Sequence, residues 1–416
     1  MKFWTQKLLF PLLLLLFCGC VWESPDENPE FLPLDDSRYP YADVPRVVIE
    51  TQDFREIRDR ETKFPSRFQI YGESAPETEV YSLTVRGRGN SSFMMPKYGL
   101  KLEFDNKVSL LGMPENRDWA LVANYGDKTH LRNFMITRIS EWLMARYTPR
   151  CRYVELYLNR KYMGLYLLFE TVKVGKQRVD IAKNDSSFLF EKESTKKQDS
   201  PFITTLMGHS FHIKNPRDLK PESADMLLEH LNEFEKFLKR GESPSGKKME
   251  DWIDLNDFLL YYWVQEFSKN EDGNFGRSIF ISWEKDHPMR FGPLWDFDIS
   301  LGNESYKKNR GVEGWYITRH WFRYIFQNPM VSAMSRDYWV LHRDLFRALI
   351  DSVPLYVSNI SRALENEYRR WPIMENTENW ALKDPYKDYD EALDSLVLWM
   401  KARYKWINNE LSKSRN

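Results

Sequence analysis

The sequence has few cysteines, little glycine and no excess of charge of either sign. Only 3 cysteines occur in 416 residues, which excludes a small domain held together by disulfides. With 18 Gly and 21 Pro, the chain is neither a collagen-like fibre nor a low-complexity protein. The 60 Lys and Arg against 61 Asp and Glu give a formal net charge of −1. No bulk attraction therefore draws the chain to nucleic acid or to an anionic membrane surface.

Aromatic residues are abundant instead. The chain has 15 Trp, 22 Tyr and 26 Phe, and 42% of its residues are hydrophobic. This composition excludes an intrinsically disordered protein, which lacks the apolar surface needed to offset chain entropy. Because a single hydrophobic core stops growing near about 250–300 residues, we expect a globular protein of two lobes.

The N-terminal segment has the pattern of an export signal. Lys2 and Lys7 precede an apolar run over residues 8–17, which is shorter than the roughly 20 residues of a membrane-spanning helix. The run is followed by a small residue directly before Cys20, and this resembles the lipidation site of bacterial lipoproteins. We expect residues 1–19 to be removed and Cys20 to carry a lipid that anchors the protein in the cell envelope, periplasmic or surface-exposed. A plain signal peptide or an uncleaved anchor is the alternative.

The residues after the signal predict a spacer. Residues 20–44 are rich in proline and acid and show no periodicity, which indicates a flexible tether. If Cys20 is lipidated, Cys151 has no disulfide partner. Since no base lies near Cys151 in the sequence, we expect a small buried side chain and not a nucleophile.

Hydrophobic periodicity predicts an α+β protein with a β-rich first half and a mainly helical second half. Alternating patterns predict strands within residues 45–125, and residues 152–174 have the pattern of a hairpin. Residues 131–143 predict an amphipathic helix with Asp127 or Thr129 as its N-cap. The remaining expectations are short strands at 188–190 and 210–213, helices from Pro221 onward, a polar loop at 241–248 and an inserted strand pair at 277–283 and 289–294.

Two arginines and a lysine form the first candidate site. Arg86 and Arg88 alternate with Gly87 and Gly89, and Lys101 lies on the next predicted strand. Glycines allow a close backbone approach to a ligand, and these cations could meet phosphate oxygens. A tight turn with solvated arginines is the alternative.

Carboxylates form the other two candidate sites. Asp272 lies in a Gly-containing turn just after a predicted helix, where a plain helix C-cap is the alternative. Asp296 and Asp298 alternate with large aromatic residues at the end of a predicted strand. Aromatic burial would make unpaired carboxylates costly, and Mg²⁺ binds through one or two carboxylates plus substrate phosphates. Structural ion pairing is the alternative to a metal site.

Four ordered motifs together resemble the CotH kinase family of atypical protein kinases. They are VRGRGNSSFMMPKYGLKLEF (85–104), LLGMPENRDWALVANYGDKTHLRN (110–133), ELYLNRKYMGLYLLFETVKVGKQRVDI (155–181) and GPLWDFD (292–298). The resemblance covers roughly residues 80–305 strongly and the C-terminal helices loosely. It implies an atypical protein-kinase-like two-lobed fold that binds ATP with Mg²⁺ and phosphorylates Ser or Thr hydroxyls of a protein substrate.

The resemblance also implies boundaries and roles. The kinase-like domain would span residues 45–412, with an N-lobe to about 215 and a C-lobe from about 216. The implied roles are metal binding by Asp296 with Asp298, orientation or deprotonation of the acceptor hydroxyl by Asp272, phosphate binding by Arg86, Arg88 and Lys101, and pairing of Glu170 with the lysine.

One position departs from the kinase pattern. Kinase catalytic loops carry an Asn at the fifth position after the Asp, to hold a second metal ion, but here that position is Arg277. Asn274 is close in sequence and is a substitute ligand. Otherwise Arg277 could turn toward the phosphates, or the protein is a weak kinase or a pseudokinase.

Other functions compete with a kinase. A catalytically weak or inactive surface lipoprotein could bind glycan or protein through exposed aromatic side chains. A glycosidase could use Asp296 with Asp272 or Glu271 as its carboxylate pair, although no glycosidase motif occurs. The 7 His show no zinc-binding spacing, and the charge balance argues against nucleic acid.

Overall fold

A computed structural model of the chain describes residues 31, 34, 36–73, 75–193, 201–241, 246–304, 310–377 and 384–413. The chain divides into two units, Met1–Leu34 and Asp35–Asn416, and every described helix and strand belongs to the second. The expected signal at 1–19 and the lipidation site at Cys20 lie outside the described residues. Within the ranges given above, no helix is both long and apolar enough to cross a membrane.

The first half of the second unit is a closed β-barrel. Its strand order is β1-β2-β3-β4-β5-β7-β6, and the parallel pairing of β6 with β1 closes it. Since side chains alternate between the two faces of a strand, one set fills the barrel with fully buried residues such as Val47, Leu102 and Trp119. The strands are β1 (Arg46–Thr51), β2 (Phe64–Tyr71), β3 (Tyr81–Arg88), β4 (Gly99–Leu110), β5 (Met113–Val122), β6 (Cys151–Leu158) and β7 (Lys161–Glu170).

A second, open sheet has the order β12-β11-β8-β10-β9. Strand β8 pairs antiparallel with β11, which lies almost a hundred residues later in the chain. A lobe boundary at residues 215 and 216, as expected from the resemblance, would separate strands that share this sheet. The strands are β8 (Ser187–Lys192), β9 (Phe202–Thr204), β10 (Ser210–Asn215), β11 (Ile279–Glu284) and β12 (Arg290–Phe291).

The helices share one large hydrophobic core with this second sheet. Helix α4 begins where the Asp254 carboxylate accepts hydrogen bonds from the backbone N–H groups of Asn256 and Asp257, each at 3.1 Å. The helices are α1 (Arg132–Trp142), α2 (Pro221–Arg240), α3 (Met249–Trp252), α4 (Leu255–Ser268), α5 (Trp321–Ile325), α6 (Pro329–Asp351), α7 (Val353–Ser358), α8 (Ser361–Arg370) and α9 (Tyr389–Lys413). The predicted α+β class is confirmed, with a β-rich first half and a helical second half.

Locally encoded elements agree with the sequence-based expectations. The hairpin is β6 and β7, and the helix expected at 131–143 is α1, although α1 is covered on all sides and is not amphipathic. The N-cap position of α1 is Leu131, but the Asp127 carboxylate still accepts a 2.9 Å hydrogen bond from the Arg132 N–H. Cys151 is a buried free cysteine, as expected, and burial raises the pKa of its thiol to about 12.

The described end of the expected tether is packed and not free. The ring of Tyr39 stacks on that of Tyr162 with centroids 4.1 Å apart. The Asn366 side chain donates a 2.8 Å hydrogen bond to the Pro40 carbonyl oxygen. Residues 36–44 are therefore part of the folded unit, and the tether can include only the residues that precede them.

Candidate active site

Two loops bring Asp272, Asp296 and Asp298 together. Asp272 lies in the turn after α4, and the other two acids follow β12. The loops run side by side because the Leu301 N–H donates to the Ser268 carbonyl oxygen at 2.7 Å. The Glu271 N–H likewise donates to the Ile299 carbonyl oxygen at 3.4 Å, so the turn that carries Asp272 lies against the segment that carries Asp296 and Asp298.

The three carboxyls are open to water and yet surrounded by protein atoms. Water reaches them, since Asp296 is exposed and Asp298 is half-buried. Burial is nevertheless the largest cause of the raised pKa of each acid, which reaches about 7 for Asp272 and about 8 for Asp298. Groups that are open to water and yet surrounded by protein atoms stand in a crevice, where the low local dielectric strengthens interaction with a cation.

Asp296 is held in place on several sides. Its backbone has a positive φ of 69°, which is uncommon for a residue other than glycine. The Ser278 hydroxyl donates a 3.1 Å hydrogen bond to Asp296 Oδ2, and Asn270 Nδ2 lies 3.4 Å from the Asp296 carbonyl oxygen. Strained backbone that its surroundings maintain is typical of functional sites.

The barrel contributes a cation to the cleft. The guanidinium of Arg88, at the end of β3, lies 5.0 Å from the centroid of the Trp295 ring. Burial lowers the pKa of Arg88, whereas the charges of Asp296, Glu191 and Asp298 raise it. Arg88 therefore faces the acids without any carboxylate within 4 Å among the residues that the structure describes.

Arg86 and Lys101 extend this cationic row away from the cleft. Arg86 pairs with Lys101 across β3 and β4, two residues before Arg88 on the same face. The Arg86 guanidinium donates to the Arg60 carbonyl oxygen. Lys101 Nζ lies 3.6 Å from Asp118, and burial lowers its pKa. Of the three predicted phosphate-binding cations, only Arg88 lies against the acids.

A family model described as CotH kinase protein matches residues 85–407. The chain belongs to this family. The match begins within β3 and ends within α9, so it includes the whole second sheet as well as Arg88, Asp272, Asp296 and Asp298. The comparison with curated proteins gives no match.

The expected pairing of Lys101 with Glu170 is wrong. Lys101 is opposite Ala120, and Ala120 is opposite Phe169, so these three share one face of the barrel wall. Glu170 follows Phe169 directly and therefore points to the other face. There it is fully buried and paired with Arg150, whose Nε lies 2.9 Å away. A nucleotide-binding role of Glu170 beside Lys101 finds no support in this geometry.

Asn274 is not placed as a metal ligand either. Its side-chain oxygen accepts hydrogen bonds from the backbone N–H groups of Thr318 and Arg319, each at 3.1 Å. An amide oxygen has two lone pairs, and both are engaged. In this CotH kinase chain, Asn274 instead holds the backbone at 318–319 next to the turn that contains Asp272 and Asn274.

Sequence reasoning missed the residues that hold the Asp296–Asp298 loop. Asn133, in the first turn of α1, accepts a 2.8 Å hydrogen bond from the Phe297 N–H. Arg132 donates from Nε to the Ser300 carbonyl oxygen at 2.9 Å and pairs with the buried Asp127. These residues lie in the family-like run at 110–133. The signal that could have found them is a pair of polar residues at the buried start of α1.

A fully buried ion pair was also missed. Lys97 Nζ lies 2.7 Å from Glu367 Oε1, and both side chains have 0% exposure. His130 Nε2 lies 3.4 Å from the same oxygen, and the Leu165 N–H donates to Glu367 Oε2 at 2.6 Å. A Cβ at Gly164 would come within 2.2 Å of Glu367 Oε2, which explains a glycine there. No sequence pattern connects Lys97 with a residue 270 positions away.

The side-chain oxygen atoms present here suit a Mg²⁺ ion that also binds phosphate and water. They are too few for a metal ion that is bound by protein side chains alone. No group of three or more His, Cys, Asp and Glu that could hold a metal ion occurs among the described residues. Asp296 and Asp298 supply the hard oxygen atoms that Mg²⁺ prefers, and phosphate oxygens and water commonly complete its octahedron. Asn270 adds a buried side-chain oxygen that has no partner within the described part of the chain. The oxygen donors of Asp296, Asp298 and Asn270 are therefore of the kind that Mg²⁺ prefers.

Proposed function

We propose that this protein is an ATP-dependent protein kinase of the CotH type that transfers the γ-phosphoryl group to Ser or Thr hydroxyls. The observation that carries the proposal is that the loops of Asp272, Asp296 and Asp298 lie side by side, with Arg88 against the residue that precedes Asp296. Acids for a divalent cation and for an acceptor, with a cation for phosphate oxygens, are the parts that phosphoryl transfer requires. A kinase-like division into two lobes belongs to the same proposal, with the cleft between the barrel and the helical half.

Each group has a distinct role in this proposal. Asp296 and Asp298 would hold Mg²⁺, which neutralises charge on the phosphate oxygens when it is bound. Arg88 contributes a second positive charge from the barrel side. Stacking on Trp295 keeps its guanidinium aimed across the cleft.

Asp272 interacts with the hydroxyl group that accepts the phosphoryl group. Its pKa is raised to about 7, so near neutral pH it exchanges a proton readily. It orients the substrate hydroxyl and takes its proton as the bond from the hydroxyl oxygen to the γ-phosphorus forms. The bond from that phosphorus to the bridging oxygen breaks at the same time, and ADP leaves with the electron pair.

The experiment is a phosphoryl-transfer assay with γ-labelled ATP, Mg²⁺ and a generic protein acceptor such as casein. The wild type should label the acceptor or itself, and Asp272→Asn and Asp296→Asn should each lose about a hundredfold or more of that rate. Arg347→Gln, an exposed change on α6, is the matched control. Equal labelling by wild type and both variants would contradict the proposal.

The competing function is glycan binding through aromatic side chains, and few aromatic side chains of the described residues are exposed. Among the exposed large hydrophobic side chains of the described residues, only Phe54 and Trp315 are aromatic. Glycan binders typically stack sugar rings on an exposed aromatic face, and these two lie in different parts of the chain. A catalytically inactive binding protein would nevertheless be the conclusion if the wild type neither bound ATP nor transferred phosphate.

Export and anchoring form a separate part of the proposal. The signal pattern at 1–19 supports secretion, and the small residue before Cys20 supports lipid attachment there. Metabolic labelling with palmitate should mark the wild type and not Cys20→Ser, and the variant should leave the membrane fraction. Equal labelling of both would contradict anchoring through Cys20 without affecting the kinase proposal.

A further inference from the structure

The turn that ends at Arg277 holds this residue beside Asp272, the acid that would interact with the acceptor hydroxyl. The N–H groups of Gly276 and Arg277 both donate to the Asp272 carbonyl oxygen, at 2.9 and 3.2 Å. The side chain then returns over the same residue, with Arg277 Nε 3.4 Å from Asp272 Oδ1. The turn therefore places a permanent positive charge against Asp272.

The charge of Arg277 acts on the whole acidic cluster and is also open to a ligand. It lowers the pKa of both Asp272 and Asp296 against the upward effect of burial. Its side chain keeps 45% exposure, and its Nε is the atom that contacts the acid. The terminal NH₂ groups of a guanidinium form a fork that matches phosphate oxygens in a bidentate manner.

The same position in protein kinases is an Asn that binds a second magnesium ion. Here the nearby Asn274 is engaged with the backbone at 318–319 and cannot supply the missing oxygen. A second divalent cation at that place would also meet the guanidinium of Arg277, and like charges repel strongly in a cleft of low dielectric. Both observations favour a single metal site.

We propose that Arg277 binds the terminal phosphate of ATP in place of a second metal ion, so that the protein binds one divalent cation for each nucleotide. This inference rests on the proposed kinase function and specifies its chemistry. The guanidinium supplies in cis the charge that the second ion supplies in a two-metal kinase. Arg277 would then be a catalytic residue, and this CotH kinase protein would be a one-metal enzyme.

The test counts bound metal ions. Mn²⁺ is titrated into the full-length protein with saturating β,γ-imido-ATP, and electron paramagnetic resonance measures free Mn²⁺. The wild type should bind one Mn²⁺ per chain, and Arg277→Asn should bind two. Arg347→Gln, with 69% exposure, should behave as the wild type. A second Mn²⁺ in the wild type, or no gain in Arg277→Asn, would overturn the inference.

A second measurement examines the phosphate contact. Arg277→Gln should weaken β,γ-imido-ATP by about tenfold, the usual loss of a charge-assisted hydrogen bond, and should weaken ADP much less. Equal losses for both nucleotides, or none, would contradict contact with the terminal phosphate. Matching melting temperatures of the variants show that they are folded, as expected for an exposed side chain.

These outcomes separate the inference from the function on which it rests. If the wild type binds nucleotide and two Mn²⁺ ions, only the one-metal inference fails. If the wild type binds neither, then the proposed function fails and the inference fails with it.

Discussion

Arg88 and Trp295 join the two halves of the candidate site, with the Arg88 guanidinium 5.0 Å from the centroid of the indole ring. Arg88 ends strand β3 of the barrel, and Trp295 directly precedes Asp296. The contact therefore links the position of the barrel cation to that of the acid that would hold Mg²⁺.

Replacing Arg88 should weaken nucleotide binding without unfolding the protein. Arg88→Met removes the charge that we propose faces phosphate oxygens and keeps the apolar contact with Trp295, so we expect ATP affinity in Mg²⁺ to fall about tenfold. Calorimetric titration measures this loss. Lys107→Met, an exposed change on β4, should leave the affinity unchanged. Equal affinities of the Arg88 variant and the wild type would remove Arg88 from the site.

Asn133 should support the site indirectly. In Asn133→Ala the buried Phe297 N–H loses its acceptor, which costs about 1–3 kcal/mol of stability and frees the loop that carries Asp296. We expect both a lower urea midpoint and weaker ATP binding. Asn256→Ala, at an exposed position on α4, is the control. A variant with lower stability and unchanged ATP affinity would show that Asn133 does not position the loop.

The buried pair of Lys97 and Glu367 should be costly to break on one side only. Lys97→Met leaves the Glu367 carboxylate without its cation in a site of 0% exposure, and we expect a loss of about 3–5 kcal/mol in the free energy of unfolding. The double variant Lys97→Met with Glu367→Met should recover much of that loss. Urea denaturation measures both. A double variant that is no more stable than the single one would refute this account of the pair.

His230 should make the protein less stable in acid. Its ring stacks on Trp283 with centroids 3.9 Å apart, and burial together with Lys247 lowers its pKa from 6.5 to about 3. The unfolded chain therefore binds a proton from about pH 6.5 downward while the folded chain does not, so stability is lost as pH falls from 6.5 toward 3.

A matched substitution isolates this effect. His230→Phe keeps the stacking on Trp283 and removes the titrating group. Between pH 7 and pH 5 the wild type should lose up to about 2 kcal/mol more than the variant. Urea denaturation at the two pH values measures the difference, and parallel losses would show that His230 does not titrate in this way.

Local patterns were sufficient for much of the fold. The hairpin of β6 and β7 and the position of helix α1 follow from patterns over short stretches, and both were predicted from the sequence. Barrel closure was not, because the parallel pairing of β1 with β6 joins residues more than a hundred positions apart. The same limit applies to the second sheet, since nothing near β8 in the sequence indicates that it pairs with β11.

The residues of the candidate site were also only partly predictable from the sequence. Asp296 and Asp298 stood out because two acids between aromatic residues are unusual, whereas Lys101 and Glu170 were paired without knowledge of which face of the barrel each occupies. The role of Glu367 could not be predicted from the sequence, because its interaction with Lys97 depends on the packing of α8 against β7. Residue types can indicate chemistry, but only the register of strands decides which side chains meet.

The most direct test of the kinase proposal is a calorimetric titration of ATP with Mg²⁺ into wild type, Asp296→Asn and Asp272→Asn. We predict that the wild type binds, that Asp296→Asn loses binding in Mg²⁺, and that Asp272→Asn retains it, because Asp272 serves the acceptor. Absent binding in the wild type, or equal binding by the wild type and Asp296→Asn, would contradict the assignment of this cleft as the nucleotide site.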